Sequence, residues 1–143
     1  MSKYSEVVTE FNDRDCLVDA LKEHNFGQGD IEVEIHDTAQ RLYDFQGRQT
    51  HYLNTQGDVA HVIVRRQFVP GASNDLGFVL KADGKFAMIR GAYDSRQVCS
   101  DAWVTALTDT YNQKKFVKEA KKQGFNLKTK KSVNGKTQIV MVR

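Results

Sequence analysis

Four histidines, His24, His36, His51 and His61, are the side chains best suited to bind a metal ion or carry a proton near neutral pH. Asp37 or Asp44 could complete a ligand set with them. No HxxxH or HxH spacing occurs, however, and such spacing is what puts two imidazoles on one face of a helix or strand. Nucleophilic chemistry would fall to Cys16 or Cys99, each of which needs an activating base and a lowered thiol pKa. The simpler role for either is a small core residue. Glu32 and Glu34 form a carboxylate pair on one face of an alternating segment, where exposed acids usually serve solubility. The ten glycines are scattered among turns, and none builds a phosphate-cradling loop between a strand and a helix. No metal and no cofactor is expected, and an enzyme of unassigned chemistry stays only as a minority alternative.

Two stretches carry charge or recognition chemistry instead. Lys114, Lys118, Lys121 and Lys122 recur on one face of a helical run, and Lys128, Lys130, Lys131 and Lys136 follow it. Together they could neutralise several phosphates. Aromatic residues that would stack on bases are sparse there: Tyr111, Phe116 and Phe125, the last two with a core character. The lysines are therefore either an anion or nucleic-acid contact or a solvated face. The second stretch, residues 39–58, is polar and loop-like, with Gly47 and Gly57 as breakers. Its Arg41, Tyr43, Arg48, His51 and Tyr52 are the residue types expected where a protein partner docks, the alternative being a mobile, solvated insertion.

The elements that must position these residues follow from periodicity. Residues 4–11 alternate as a strand, Asn12 offers an N-cap, and Asp15 lies in the first turn of a helix over 13–24 that Asn25, Phe26 and Gly27 end. Residues 31–35 alternate Ile and Val with Glu32 and Glu34, which predicts a half-buried strand with both glutamates facing water. A strand over 59–68 is ended by Pro70 and Gly71. Residues 76–81 and 85–90 flank Asp83-Gly84, which predicts a hairpin whose type I′ turn needs positive φ at both centres. Asn134-Gly135 repeats that signal between 127–131 and 137–142.

The helical run over 101–123, ended by Gly124, holds a conflict. Trp103, Val104, Leu107 and Tyr111 share one face, while Phe116, Val117 and Ala120 lie nearly opposite. Either the helix breaks near Asn112, or its halves are covered on different sides, as the lack of Gly or Pro favours. A helix, a glycine-flanked phenylalanine and a strand also occur in that order at 13–35. The expected fold is α+β: a mostly antiparallel sheet of six or seven strands with two helices packed on it, for which two β-α-β-β halves are one arrangement.

With 143 residues, 40% of them hydrophobic, the chain suits one globular domain over 1–143. Its net charge of +3 is unevenly spread. Residues 111–143 hold nine Lys and one Arg against a single acid, a net of +9, whereas residues 1–110 hold 11 basic and 17 acidic residues, a net of −6. The acids between Glu6 and Asp37 could pair with the lysines within the fold or in a head-to-tail dimer. Two cysteines fit a reducing compartment. The start MSKYSEVVTEF lacks the apolar core of a signal peptide, and no apolar run is long enough for a membrane span, so a cytoplasmic, unprocessed chain is expected.

MSKYS, DFQGRQT, NDLGF, the run 85–89 and the stretch from Tyr111 through AKKQGF occur in an order that resembles the domain of unknown function 1257 family, also called hypothetical chloroplast reading frame 35. Its members occur in cyanobacteria, some plastids and marine cyanophages. Between residues 49 and 58 this chain looks longer than the family pattern, and its end is more basic, which leans towards a cyanophage relative. The resemblance implies a photosynthetic lineage and a cytoplasmic or stromal setting, and it supplies no site residues. The expected function is a small non-catalytic binding or regulatory module acting on a protein partner. Nucleic-acid binding through the C-terminal lysines is the alternative.

Overall fold

The helix-period pattern after Phe11 produces α1, Arg14–Glu23, in a computed structural model that describes residues 3–71, 74–133 and 136–143. Its N-cap is Asp13, whose side chain accepts from the Cys16 amide at 3.1 Å, and not Asn12. Asn12 is engaged elsewhere: its side-chain oxygen accepts from the Tyr111 hydroxyl at 3.0 Å and Lys115 Nζ at 2.6 Å, and its amide donates to Tyr111 Oη at 2.9 Å. A contact made 99 residues away thus moved the cap by one position.

Five strands form one antiparallel sheet in the order β1-β5-β4-β3-β2: β1 Tyr4–Val7, β2 Glu34–Arg41, β3 Val59–Val64, β4 Leu76–Leu80 and β5 Phe86–Gly91. β1 stops at Val7 rather than Phe11. Val8 is exposed, and Phe11 turns into the core while its carbonyl still accepts from the Phe86 amide at 2.7 Å. β2 begins three residues later than the alternation implies and runs on to Arg41, with its register broken between Ile35 and Gln40. Ahead of β2 the expected faces hold, with Ile31 buried and Glu32 exposed, but at its start Ile35 is exposed and Glu34 is half-buried against Arg65. β3 ends at Val64 because Arg66 gives its amide to the Asp75 carboxylate at 2.8 Å, and Arg66–Phe68 closes as a 3₁₀ turn.

The β4-β5 hairpin stands where Asp83-Gly84 places it, but its turn is different. Lys81 N–H donates to Lys85 O at 2.9 Å, Gly84 N–H donates to Lys81 O at 3.0 Å, and only Gly84 has positive φ, +82°. This is a turn closed by a glycine bulge, not type I′.

After the single turn α2, Ala92–Ser95, Ser100 caps α3, Asp101–Lys122, which runs unbroken. Leu107 and Tyr111 are buried on its first half, which packs on α1; the second half leaves Phe116 exposed beside Phe125 and Met141. β6, Asn126–Val133, and β7, Lys136–Val142, pair antiparallel as a separate two-stranded sheet, with Val133 opposite Lys136. The Asn134-Gly135 turn lies outside the described residues. The fold is α+β, with seven strands divided five and two and a third, short helix among the described residues.

The five-stranded sheet is covered on both faces. Val62, Val64, Phe78 and Met88 meet Leu17, Leu21, Leu107 and Phe11 on the helix side. Tyr4, Ala60, Ile63 and Ile89 on the other side are covered by Leu42 and Tyr52, both from the polar stretch. That stretch is therefore part of the packing of the fold.

Candidate functional site

Residues 42–58 contain little regular structure, so their backbone N–H groups need other acceptors. Three buried aspartates supply them. Asp44 Oδ1 accepts from the amides of Gln46 and Arg48, both at 2.9 Å. Asp58 accepts from Tyr52 at 2.8 Å, Leu53 at 2.7 Å and Asn54 at 3.0 Å. Asp75, arriving from the start of β4, accepts from the amides of Tyr43 and Arg66 at 2.8 Å. Carboxylate-to-amide bonds are among the stronger hydrogen bonds; six of them hold amides of the loop itself, and Asp75 also takes bonds from Arg65 and Arg66.

Arg65 joins this frame to the sheet. It donates to both oxygens of Glu34 at 2.8 and 3.0 Å, to Asp75 at 2.9 Å and to the Arg41 carbonyl at 2.8 Å, and its guanidinium lies 5.6 Å from the centre of the Tyr43 ring. The Glu34 hydrogen bonds raise the Arg65 pKa against the opposing effect of burial. The same bonds hold the Glu34 carboxyl below its ordinary value.

Between the end of β2 and the loop lies a pocket of about 400 Å³ lined by Arg41, Tyr43, Asn54, Gln56, Gly57 and Arg65, among others. Arg41 makes no ion pair among the described residues. Gly57 has φ +117°, and a Cβ there would sit 2.8 Å from Gln49 Nε2 and 3.2 Å from Arg41 Nη1. The position therefore requires glycine both for its backbone and for its neighbours. Around this pocket and loop, Tyr43, Phe45 and Leu53 are exposed by 38%, 40% and 45%, a large apolar display for a loop so firmly held.

Of the residues singled out by type, Arg41 and Tyr43 meet at the pocket. Arg48 is exposed on the loop, and His51 is exposed with Nδ1 3.2 Å from the Thr55 carbonyl. Tyr52 is turned inward, its ring edge-on to Tyr4 at 5.9 Å, so it belongs to the packing rather than to the displayed surface. Residue type alone did not single out Arg65, Asp58, Asp75 or Gln49. Asp44 with Gly47 three residues on is a visible turn signal, whereas nothing in the local sequence points Asp75 at Tyr43, 32 residues away.

The lysines are drawn partly into the fold. Lys114 pairs with Glu23 and Lys118 with Asp13, each at 2.6 Å, and Lys122 lies 3.7 Å from Glu119. Lys121 and Lys130 line a groove between α1, α3 and β6. Lys128, Lys130, Lys131 and Lys136 are exposed on β6 and β7 with no ion pair among the described residues. Other acids of the N-terminal region also pair within the chain, Glu6 with Lys81, Glu10 with Lys85 and Asp37 with Arg14.

Asp13 offers a pH test of this helix-to-helix contact. Burial alone would raise its pKa, but the bonds from Lys118 and the Cys16 amide outweigh it and bring the carboxyl from 3.8 to about 2. A carboxyl depressed in the folded state stabilises it above the unfolded value and loses that effect as pH falls. Unfolding midpoints should therefore drop between about pH 4 and about pH 2, and Asp13→Asn should flatten that window. An Asp13 carboxyl carbon titrating at its ordinary value by NMR would show that the Lys118 bond does not hold in solution.

Among the described residues no three His, Cys, Asp or Glu side chains gather as a metal-binding group. Both thiols are buried; burial, with Asp94 adding to it, pushes Cys99 up to about 12, and burial also raises Cys16. Neither is a thiolate at neutral pH. No helix among the described residues is long and apolar enough to cross a membrane.

Fold and site together define a small α+β protein with an aspartate-pinned loop covering one sheet face. Residues 29–140 match the family described as protein of unknown function (DUF1257), and the chain belongs to that family. The matched span contains the whole loop, its three aspartates and the pocket. No curated protein and no solved structure matches the chain.

Proposed function

We propose that the protein is a small non-catalytic binding module that engages an acidic segment of a protein partner through the face built by residues 41–58. The observation that carries this reading is the contrast within the loop: six of its amides bond to three buried aspartates, yet Tyr43, Phe45 and Leu53 remain exposed on the same stretch as Arg41 and Arg48, which pair with no acid among the described residues. A rigid display loses little conformational entropy on docking, and aromatic and arginine side chains are those that most often anchor interfaces. The two arginines set the partner's charge as negative. The family resemblance supports a setting in the cytoplasm of a photosynthetic cell or during cyanophage infection.

A nucleic-acid reading is favoured by one observation, the unpaired lysines of β6 and β7, and is opposed by the pairing of Lys114 and Lys118 with α1. Affinity purification of the full chain from a cyanobacterial lysate, with and without nuclease, separates the two. The docking reading expects a protein that survives nuclease treatment and is lost, by about tenfold or more, with Leu53→Asp. Capture that vanishes with nuclease, or that ignores Leu53→Asp, overturns it. In the first case, affinity for nucleic acid should fall with salt at a log-log slope of roughly −3 to −4 for four phosphate contacts.

A further inference from the structure

We propose that the pocket beside Arg41 is a carboxylate-binding site, filled by an acidic side chain or the C-terminal group of the docked segment. The inference rests on the docking reading above and names the group that this pocket takes. Two donors lie against Gly57 at the edge of this pocket, Arg41 from within the lining and Gln49 from outside it. Gln49 Nε2 is buried with no hydrogen-bond partner among the described residues, and it lies against the vacant β position of Gly57. Arg41 Nη1 closes on the same position from the pocket side, 3.2 Å away. A buried donor left without an acceptor is costly and uncommon in folded proteins, and where one occurs it often marks the place of an ion or ligand. Arg41 is an exposed side chain, so a small swing of its guanidinium admits one oxygen between the two donors.

The charge balance selects the ligand. Arg65, the other cation of the lining, is already committed to Glu34 and Asp75, which leaves a single uncompensated positive charge at Arg41. Asp58 follows Gly57 directly, and Asp75 holds Arg65, so two buried carboxylates oppose a dianion such as phosphate. A planar monoanion matches the guanidinium fork. The Tyr43 and Val59 side chains, also in the lining, supply apolar contact for the methylene groups of an acidic residue.

The test is an NMR titration of the isotopically labelled full chain with N-acetylglutamate α-amide, which carries one carboxylate, and separately with inorganic phosphate. The proposal expects saturable shifts of the Gln49 side-chain amide and the Gly57 backbone amide at roughly millimolar affinity for the carboxylate, weakened about tenfold or more by Arg41→Gln. Gln49→Glu supplies an acceptor from within, so it should abolish binding while raising the melting temperature. No saturable shift, an unchanged affinity in Arg41→Gln, or phosphate binding as tightly as the carboxylate would overturn the proposal. Should the carboxylate fail to bind while Leu53→Asp still abolishes partner capture, the pocket assignment falls and the docking face stands.

Discussion

Asp75→Ala should cost about 3 to 5 kcal/mol of folding free energy in urea unfolding, the loss typical when one partner of a buried, hydrogen-bonded charge pair is removed. Asp75 is 1% exposed and accepts three bonds, from the amides of Tyr43 and Arg66 and from Arg65 Nη1, all at 2.8 to 2.9 Å. Truncation leaves two amides without an acceptor and takes from half-buried Arg65 one of its two acids. Each orphaned donor forfeits its hydration as well as its bond. Asp75→Asn keeps the shape, but its NH₂ group faces donors, and it should cost about 2 kcal/mol. Hydrogen exchange should quicken first at Tyr43 and Arg66. A loss below about 1 kcal/mol in Asp75→Ala would mean that the loop is held by Asp44 and Asp58 without help from β4.

Phe11→Ala should be equally damaging, at about 3 to 5 kcal/mol, as for other large core aromatics. Phe11 is 1% exposed, with its ring 4.7 Å from that of Tyr111 and 6.2 Å from that of Phe78, so it joins α3 to the sheet at the point where the chain enters α1. Trp103 provides the comparison. It is only partly buried, stacked on Phe26 at 5.0 Å and 13°, at the edge of the same cluster. Truncating it removes less area from the core, and Trp103→Ala should cost roughly 1 to 3 kcal/mol. Equal losses for the two variants would place Trp103 in the core rather than at its rim.

That Arg41 and Tyr43 belong to one polar stretch was legible, and the two do line one pocket, yet the architecture of the stretch was not. Glycines, glutamines and asparagines signal a loop, and a loop of that composition looks solvated until its acceptors are known. Here the acceptors are aspartates, which composition counts as surface residues. Asp58 serves amides four to six residues back and is readable in principle as a turn. Asp75 is not, since the strand pairing of β3 with β4 is what carries it to Tyr43.

The α+β class, the helices over Arg14–Glu23 and Asp101–Lys122 and the hairpin at Asp83-Gly84 were determined by the sequence itself, because each depends on periods of 3.6 or 2 and on turn residues within a few positions. Tertiary structure decided the rest, dividing the seven strands into two sheets, since among the described residues β6 and β7 pair only with each other and rest against α3. It also prevailed wherever a long-range partner outweighed a local preference. Tyr111 and Lys115 took Asn12 away from the cap, the Arg65 guanidinium drew Glu34 inward, and the Asp75 carboxylate ended β3 early. These three share a physical reason: hydrogen bonds that involve a charged side chain exceed the energy of a single cap or ladder bond, and their partners lie 9 to 103 residues apart, beyond the reach of any local pattern.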